Sequence, residues 1–592
     1  MNHGKISIWI AVLFFGILVP WIQPYAYLPV PQLNSNALSL ALWGIFLLIS
    51  WRDSTSNSFF NIKINHSKEY NFILFAGLLV LGVLFFDFIS GKLGFASAFV
   101  SGATATTLAL LVAAHGYHVA ETEYAETYFS WLIYSLTASA LISAIFGWLQ
   151  FFNIQLAPWI SLLPEPGRVF ANVRQPNQLA TLLALGIWSA CWLRDRQKIS
   201  PLAASSIIFF LTPCLVFTGS RMAVLLLGYI LLLGIYSQKS DSKAFFQKYA
   251  YIVIIYALTW YLAEAARRQG LIFFHGGERI ADADPTGLRW QLWANSIEIS
   301  LLNPISGCGF NQFNFCFIHA PLESRAPAPF DHAHNIILQW AVEFGWPVAI
   351  FLTVAFGAWA KNLFKDAKNP QTMYAIGFLG IVAIHSMLEH PLWYAAFLMP
   401  TAFLIGYCTQ RNKIKYADTS TIAQKNLINA ILAKIVLFFI VSGSLYSIYI
   451  HSRLAKNYIA GNELTAAERH KNTEVAWIFR PQIAYAQAMY VSNGAQLNEM
   501  PQMLSFFKLA SHAHMDEKFL IRYAQIAALS GANDLAHHLA WRSIQLNPKS
   551  AEEYGYAADT SNIESLRNLA EFASSRTAFN LPPSKFKDIL RP

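Results

Sequence analysis

Apolar runs long enough to cross the hydrocarbon core of a bilayer recur along this chain from Ile6 to Ile450. No other feature restricts the fold as much, because a helical crossing takes about 20 mostly apolar residues. Thirteen such spans are expected, near 6–20, 37–51, 71–90, 97–114, 129–150, 177–193, 201–218, 222–236, 249–263, 334–360, 371–388, 391–409 and 428–450. Composition agrees, with 13% charged residues where a soluble domain carries about 25%. The fold class is therefore an all-α polytopic membrane protein.

The first run is not read as a cleavable signal peptide. It lacks a small-residue cleavage site, and Pro20, Trp21, Pro24 and Tyr25 follow it like an interfacial anchor. Orientation comes from the short loops. Arg194, Arg196 and Lys198 follow one span, and Lys239, Lys243 and Lys248 another. Lys361, Lys365 and Lys368 come next, then Arg411, Lys413, Lys415 and Lys425. All fall on the side of the N-terminus, and positive residues stay cytoplasmic. The loop 264–333 and everything after residue 450 are then expected in the periplasm. The net charge of +9 reads as a topology signal rather than a nucleic-acid patch.

Four regions follow: N-terminal spans over 1–263, with a periplasmic loop at 151–176; a large periplasmic loop, 264–333; C-terminal spans over 334–450; and a periplasmic tail, 451–592. The tail is richer in Ala, Glu, Asn and Gln, with apolar residues at helical spacing and breaks near Gly461, Gly494, Gly531 and Pro548. Ala536–Pro548 looks like the second helix and turn of a tetratricopeptide-type hairpin. Helix pairs are expected; a small helical cap on the last span is the alternative. Cys191, Cys214 and Cys408 fall within spans, whereas Cys308 and Cys316 share the large loop, where a disulfide is chemically open.

Long non-helical segments beside a membrane are costly unless they sit in water or line a cavity. The segment 151–176 carries Arg168, Asn172, Arg174 and Gln175, and Asn177 and Gln178 follow. The large loop carries Arg289, Trp290 and Trp293, then Gly307-Cys308-Gly309-Phe310. Asp331-His332-Ala333-His334-Asn335 then leads into Gln339 and Glu343, and Asn335, Gln339 and Glu343 share one helix face by spacing. His334 stands at the mouth of that helix. Polar residues there either glue helices together or serve function. Arg221, in the minimal turn Thr218-Gly219-Ser220-Arg221, is a second anchor. An interfacial arginine ordinarily snorkels, but arginine is uncommon on this face, which raises the value of Arg221 and Arg289 together. Asp331 with His332 and His334, and Asp282-Ala283-Asp284, mimic metal sites in short, common patterns; no metal or cofactor is expected. Neither a P-loop nor a Gly-x-Ser-x-Gly elbow is present.

In this order, these anchors resemble the O-antigen ligase superfamily. The matching elements are Ser220-Arg221, Arg289-x-x-x-Trp293 with Gly307-x-Gly309, and His334-Asn335-x-x-Leu338-Gln339-x-x-x-Glu343-x-Gly345. Within the superfamily the chain looks most like the bacterial protein O-oligosaccharyltransferases of the PglL type. Arg174-Gln175-Pro176-Asn177-Gln178-Leu179-Ala180 and Leu388-Glu389-His390-Pro391-Leu392-Trp393-Tyr394 carry that resemblance, as does the helical tail. His390 departs from it, standing where an aromatic residue is more usual. The resemblance implies a GT-C-like fold in the bacterial inner membrane. It implies an undecaprenyl-diphosphate-linked glycan as donor and a hydroxyl of a pilin or exported protein as acceptor.

His334 is then the expected base, with Arg221 and Arg289 on the diphosphate. Arg168, Asn172, Gln175, Asn177, Gln178, Asn335, Gln339, Glu343, Glu389 and Tyr394 are expected in support, and the tail is expected to position the acceptor. Rival readings are an O-antigen ligase acting on lipid A core, an O-antigen polymerase, and a transporter. The long tail disfavours the first two, and the lack of a duplicated half disfavours the third.

Overall fold

A computed structural model describes residues 3–52, 68–154, 156–161, 167–237, 246–274, 285–411, 424–458, 464–491, 496–561 and 563–582. Among these residues the chain is all-helical, with no strand. Seven helices are long and apolar enough to cross a membrane by length and composition, and four shorter apolar helices accompany them. Large apolar side chains stay exposed on these helices, among them Phe75, Phe85, Leu232, Leu258, Phe438 and Phe439. Apolar area on this scale suits lipid rather than water. The chain is a polytopic membrane protein.

Local chemistry sets several helix starts. Gln175, Ser200 and Asn369 each cap a helix whose first residue is proline: Pro176–Asp195, Pro201–Phe217 and Pro370–Ser386. A polar N-cap side chain satisfies an orphan amide, and proline at the first helical position gives up a hydrogen bond the helix never had.

The chain forms two compact units. The first comprises 1–77, 105–283 and 355–458. Its core is one apolar cluster that includes Trp9, Trp43, Phe129, Leu182, Phe378 and Tyr407. The second comprises 78–104, 284–354 and 459–592, so it joins the described part of the large loop to the tail. Its core mixes Leu292, Phe313 and Phe317 from the former, and Val342 from just after it, with Met503, Phe507, Phe519 and Leu520 from the latter.

Three features differ from the sequence expectation. The large loop is not a long non-helical segment: it contains helices Pro285–Leu302 and Phe313–His319. Leu292, Ser296 and Ile299 recur at helical spacing and are buried. The run expected as one span over 334–360 is two helices, Ile336–Phe344 and Trp346–Lys365, and only the second is a candidate span. Gly345 makes the break, with φ of 85°. The run 391–409 begins with a short 3-10 turn, Pro391–Trp393, before the helix Ala395–Arg411.

In the tail, helix Glu517–Leu529 packs on Asn533–Leu546, and Ser550–Ser561 on Glu564–Ser575. Gly531, in a left-handed conformation, turns the first pair. Gly461, Gly494, Asp282, Asp284, and the loop residues Lys239, Lys243, Lys413 and Lys415 lie outside the described residues.

Candidate functional site

The second unit holds His334. Its backbone is left-handed, with φ of 49°, a conformation that costs a non-glycine residue about 1–2 kcal/mol. Its neighbours hold it there. The Gln339 side-chain oxygen accepts the Ala333 N–H at 2.7 Å. Asn335, the N-cap of Ile336–Phe344, accepts the N–H groups of Ile337 and Leu338 at 3.0 and 3.2 Å. The His334 ring is half-buried, edge-on to Phe330 at 5.7 Å and 4.0 Å from the His332 ring between centroids. His332 is in turn hydrogen-bonded to Asp331. Asn335 and Gln339 thus act on the backbone, fixing the strained residue between them.

Glu343 is fully buried, and it ties this helix to the glycine loop. Its Oε1 accepts the Asn311 N–H at 2.8 Å, and its backbone carbonyl accepts Gly309 N–H at 2.9 Å. Val342 O accepts Cys308 N–H at 2.8 Å. A Cβ on Gly307 would stand 2.3 Å from Glu343 O, and one on Gly345 would stand 2.3 Å from Ile305 O. Both glycines also have positive φ, so a side chain at either is excluded twice. The two sequence motifs, Gly307-x-Gly309 and Glu343-x-Gly345, are therefore the two halves of one contact. Cys308 and Cys316 form a disulfide across the same loop. Burial pushes the Glu343 carboxyl up to about 8, against the pull of the Asn311 N–H and the Gln339 side chain.

Sequence reasoning missed two residues here. Asp87, with no exposed surface, accepts the Phe310 N–H at 3.2 Å. Lys92 lies 3.7 Å from Asp87 and donates to the carbonyls of Ser306 and Gly307 at 3.0 and 3.3 Å. Burial holds the Lys92 ammonium below its ordinary range, with Asp87 opposing. Arg289 is half-buried on Pro285–Leu302, beside exposed Trp290, and that helix packs on Ile336–Phe344.

The first unit collects the other candidates. The Arg168 guanidinium donates from Nε to Thr218 O at 3.0 Å, against the turn of Gly219. Ser220 Oγ donates to Asn177 Oδ1 at 2.7 Å, and Asn177 Nδ2 donates to Glu389 Oε1 at 3.0 Å. Three stretches singled out separately in the sequence thus form one chain, Ser220–Asn177–Glu389. Arg221 follows Ser220 with its side chain exposed. Gln175 Oε1 accepts the Gln178 N–H, so this glutamine is a helix cap, and Gln178 is buried. Tyr394 is half-buried, its ring 5.7 Å from that of His390.

Asn172 spends its amide on the loop itself. Its Oδ1 accepts Ser161 N–H, and its Nδ2 donates to Ile22 O and Trp159 O. Gln150, which the sequence did not flag, does the same work: its Oε1 accepts Phe170 and Ala171 N–H, and its Nε2 donates to Ser161 and Ala171 carbonyls. A lone glutamine near the end of an apolar span was the available signal.

Three family profiles match. One described as O-antigen ligase covers 206–353. One described as virulence factor membrane-bound polymerase, C-terminal, covers 373–560, and one described as protein glycosylation ligase covers 169–193. Among curated relatives, a general O-oligosaccharyltransferase of Acinetobacter baylyi is 26% identical over 354 residues, 56% of this chain and 60% of the relative. A ComP-specific O-oligosaccharyltransferase of the same organism is 24% identical over 263 residues, 43% of this chain and 47% of the relative. The chain thus covers less than two thirds of the length of either. It matches O-antigen ligase and protein glycosylation ligase profiles over parts of its length, and its homologues, at modest identity, are named O-oligosaccharyltransferases.

Proposed function

We propose that this protein is an O-oligosaccharyltransferase of the bacterial inner membrane. It moves a glycan from undecaprenyl diphosphate to a serine or threonine hydroxyl of a pilin or other periplasmic protein. The observation that supports this most is His334, half-buried and fixed by Gln339 and Asn335, within the matched O-antigen ligase region. A neutral imidazole takes the proton of the incoming hydroxyl as the oxygen attacks the sugar C1. A positioned base of this kind contributes about 10²–10⁴ in rate.

As the C1–O bond breaks, charge grows on the diphosphate. Arg289 and Arg221 meet it with bidentate, charge-assisted hydrogen bonds, each worth on the order of 10²–10³. No metal is required in this scheme, so a chelator should leave activity unchanged. The active face and the tail are periplasmic, and the tail positions the acceptor protein.

Intact-mass analysis of periplasmic and pilin proteins from cells with and without the gene tests the reading. Loss of sugar-sized masses from a protein is the expected result. Unchanged proteins together with a shortened lipopolysaccharide would refute it in favour of transfer to lipid A core.

A further inference from the structure

The second unit buries a group of basic side chains that the proposed chemistry does not use. Arg325 is 5% exposed, His319 1%, and Arg542 and His538 not at all. They gather around one peptide, because Arg325 Nη2 and Arg542 Nη2 both donate to Ala320 O, at 2.7 and 2.8 Å. The His319 and His538 rings stack at 5.6 Å. Arg325 lies over the Phe317 ring at 5.0 Å, and Arg542 also donates to Gln545 and Asn580. Every one of these acceptors is neutral.

The remaining polar atoms have no acceptor among the described residues. Arg325 Nε and Nη1, Arg542 Nε, both ring nitrogens of His319 and Nε2 of His538 are buried without a partner. His538 Nδ1 is occupied by the Leu581 N–H. Glu298 attracts Arg325, but it is exposed and forms no ion pair with it. Two guanidinium groups converging on one carbonyl repel each other, and arginine does not escape by shedding its proton. Buried charge without a counter-charge is strongly unfavourable. Water would fill hydrogen bonds but supply no charge.

We propose that this cluster binds a small inorganic anion, chloride, which locks the 319–326 segment to the helix Asn533–Leu546. A monatomic anion suits the site because its donors are buried and come from four separate side chains. Burial keeps both histidines neutral, His319 falling to about 3, so each still offers one ring N–H while the arginines carry the charge.

The test uses the full-length protein in detergent, in gluconate buffer of constant ionic strength. Sodium chloride then replaces gluconate while tryptophan fluorescence follows thermal unfolding. Linkage predicts that Tm climbs with chloride and keeps rising with the logarithm of concentration above Kd. A rise of about 5–10 °C is expected at a hundredfold excess over Kd. Arg542→Gln and Arg325→Gln should lose that dependence. Should either variant fail to fold, bromide in the wild-type protein serves instead, and an anomalous peak beside Arg325 and Arg542 is expected. A Tm that is flat in chloride, an equal rise in the variants, a phosphate response without a chloride response, or no bromide peak would each overturn the proposal.

Discussion

Glu343→Gln separates a neutral carboxyl from an ionised one. The buried carboxyl titrates near 8 in the folded protein against about 4.3 in an unfolded chain. Between those values the folded state keeps a proton that the unfolded state releases. Stability therefore falls as pH rises through that window, by about 1.4 kcal/mol per pH unit, and levels off above pH 8. From pH 5 to pH 7.5 the loss is about 3 kcal/mol.

Glutamine copies the protonated acid: its oxygen still accepts the Asn311 N–H, and its amide replaces the acid O–H as a donor. Glu343→Gln should remove the pH term, so its Tm gains on the wild type as pH rises. At about 2–4 °C per kcal/mol for a domain of 150–250 residues, the gap should widen by several degrees. Thermal unfolding in detergent at half-unit steps from pH 5 to 8.5 measures it. A gap that stays constant, or one that widens against glutamine, would show that Glu343 is ionised and paired in the fold.

His334→Ala should abolish transfer with expression and Tm near normal; activity above about a hundredth of wild type removes it as the base. Arg289→Lys and Arg221→Lys should each be impaired in a donor-turnover assay although charge is kept, because ammonium lacks the planar fork; turnover like wild type would leave the arginines a topological role. Chelation with EDTA should change the rate less than twofold, and a loss restored by a divalent ion would bring a metal back into the chemistry. Gly307→Ala should lower Tm markedly and activity with it, since both the left-handed φ and the 2.3 Å approach to Glu343 O forbid a methyl group; an unchanged Tm would mean the loop can move aside.

Helix existence was legible because apolar length is a local property. Pairing was not. The spacing of Gly307, Gly309, Glu343 and Gly345 was visible, but not that these glycines serve each other's backbones. Asp87 and Lys92 were invisible for the same reason: at the end of an apolar helix they read as interfacial residues, and their partners lie more than 200 positions away. Asn335, Gln339 and Glu343 were expected on one face of a span over 334–360; Gln339 and Glu343 lie on the short helix Ile336–Phe344, and Asn335 is its N-cap. Their expected position inside a span was displaced because the hydropathy of Ile336–Phe344 runs on across Gly345 without a polar break. Arg542 and Arg325 drew no notice, since a basic residue in an amphipathic tail or in a loop expected in the periplasm is normally solvated.

The shared core of the second unit changes how the tail can be tested. Phe507, Phe519 and Leu520 from the tail pack in one cluster with Phe313, Phe317 and Val342 from the segment that carries His334. Met515 N–H is held by Asn314, and His512 contacts Gln312 at 2.8 Å. Removing residues 459–592 would strip apolar partners from the loop that fixes the histidine. Each large side chain left in a void costs about 2–5 kcal/mol, enough in sum to exceed the stability of an ordinary domain. A truncated enzyme that loses transfer would then say nothing about acceptor choice. Substitutions on the tail's exposed aromatics, Tyr490→Ser and Tyr556→Ser, leave that core intact. If the tail positions the acceptor, they should raise KM for the protein acceptor while Tm and the affinity for lipid-linked glycan stay at wild-type values. An unchanged KM in the double variant would take this surface out of acceptor recognition.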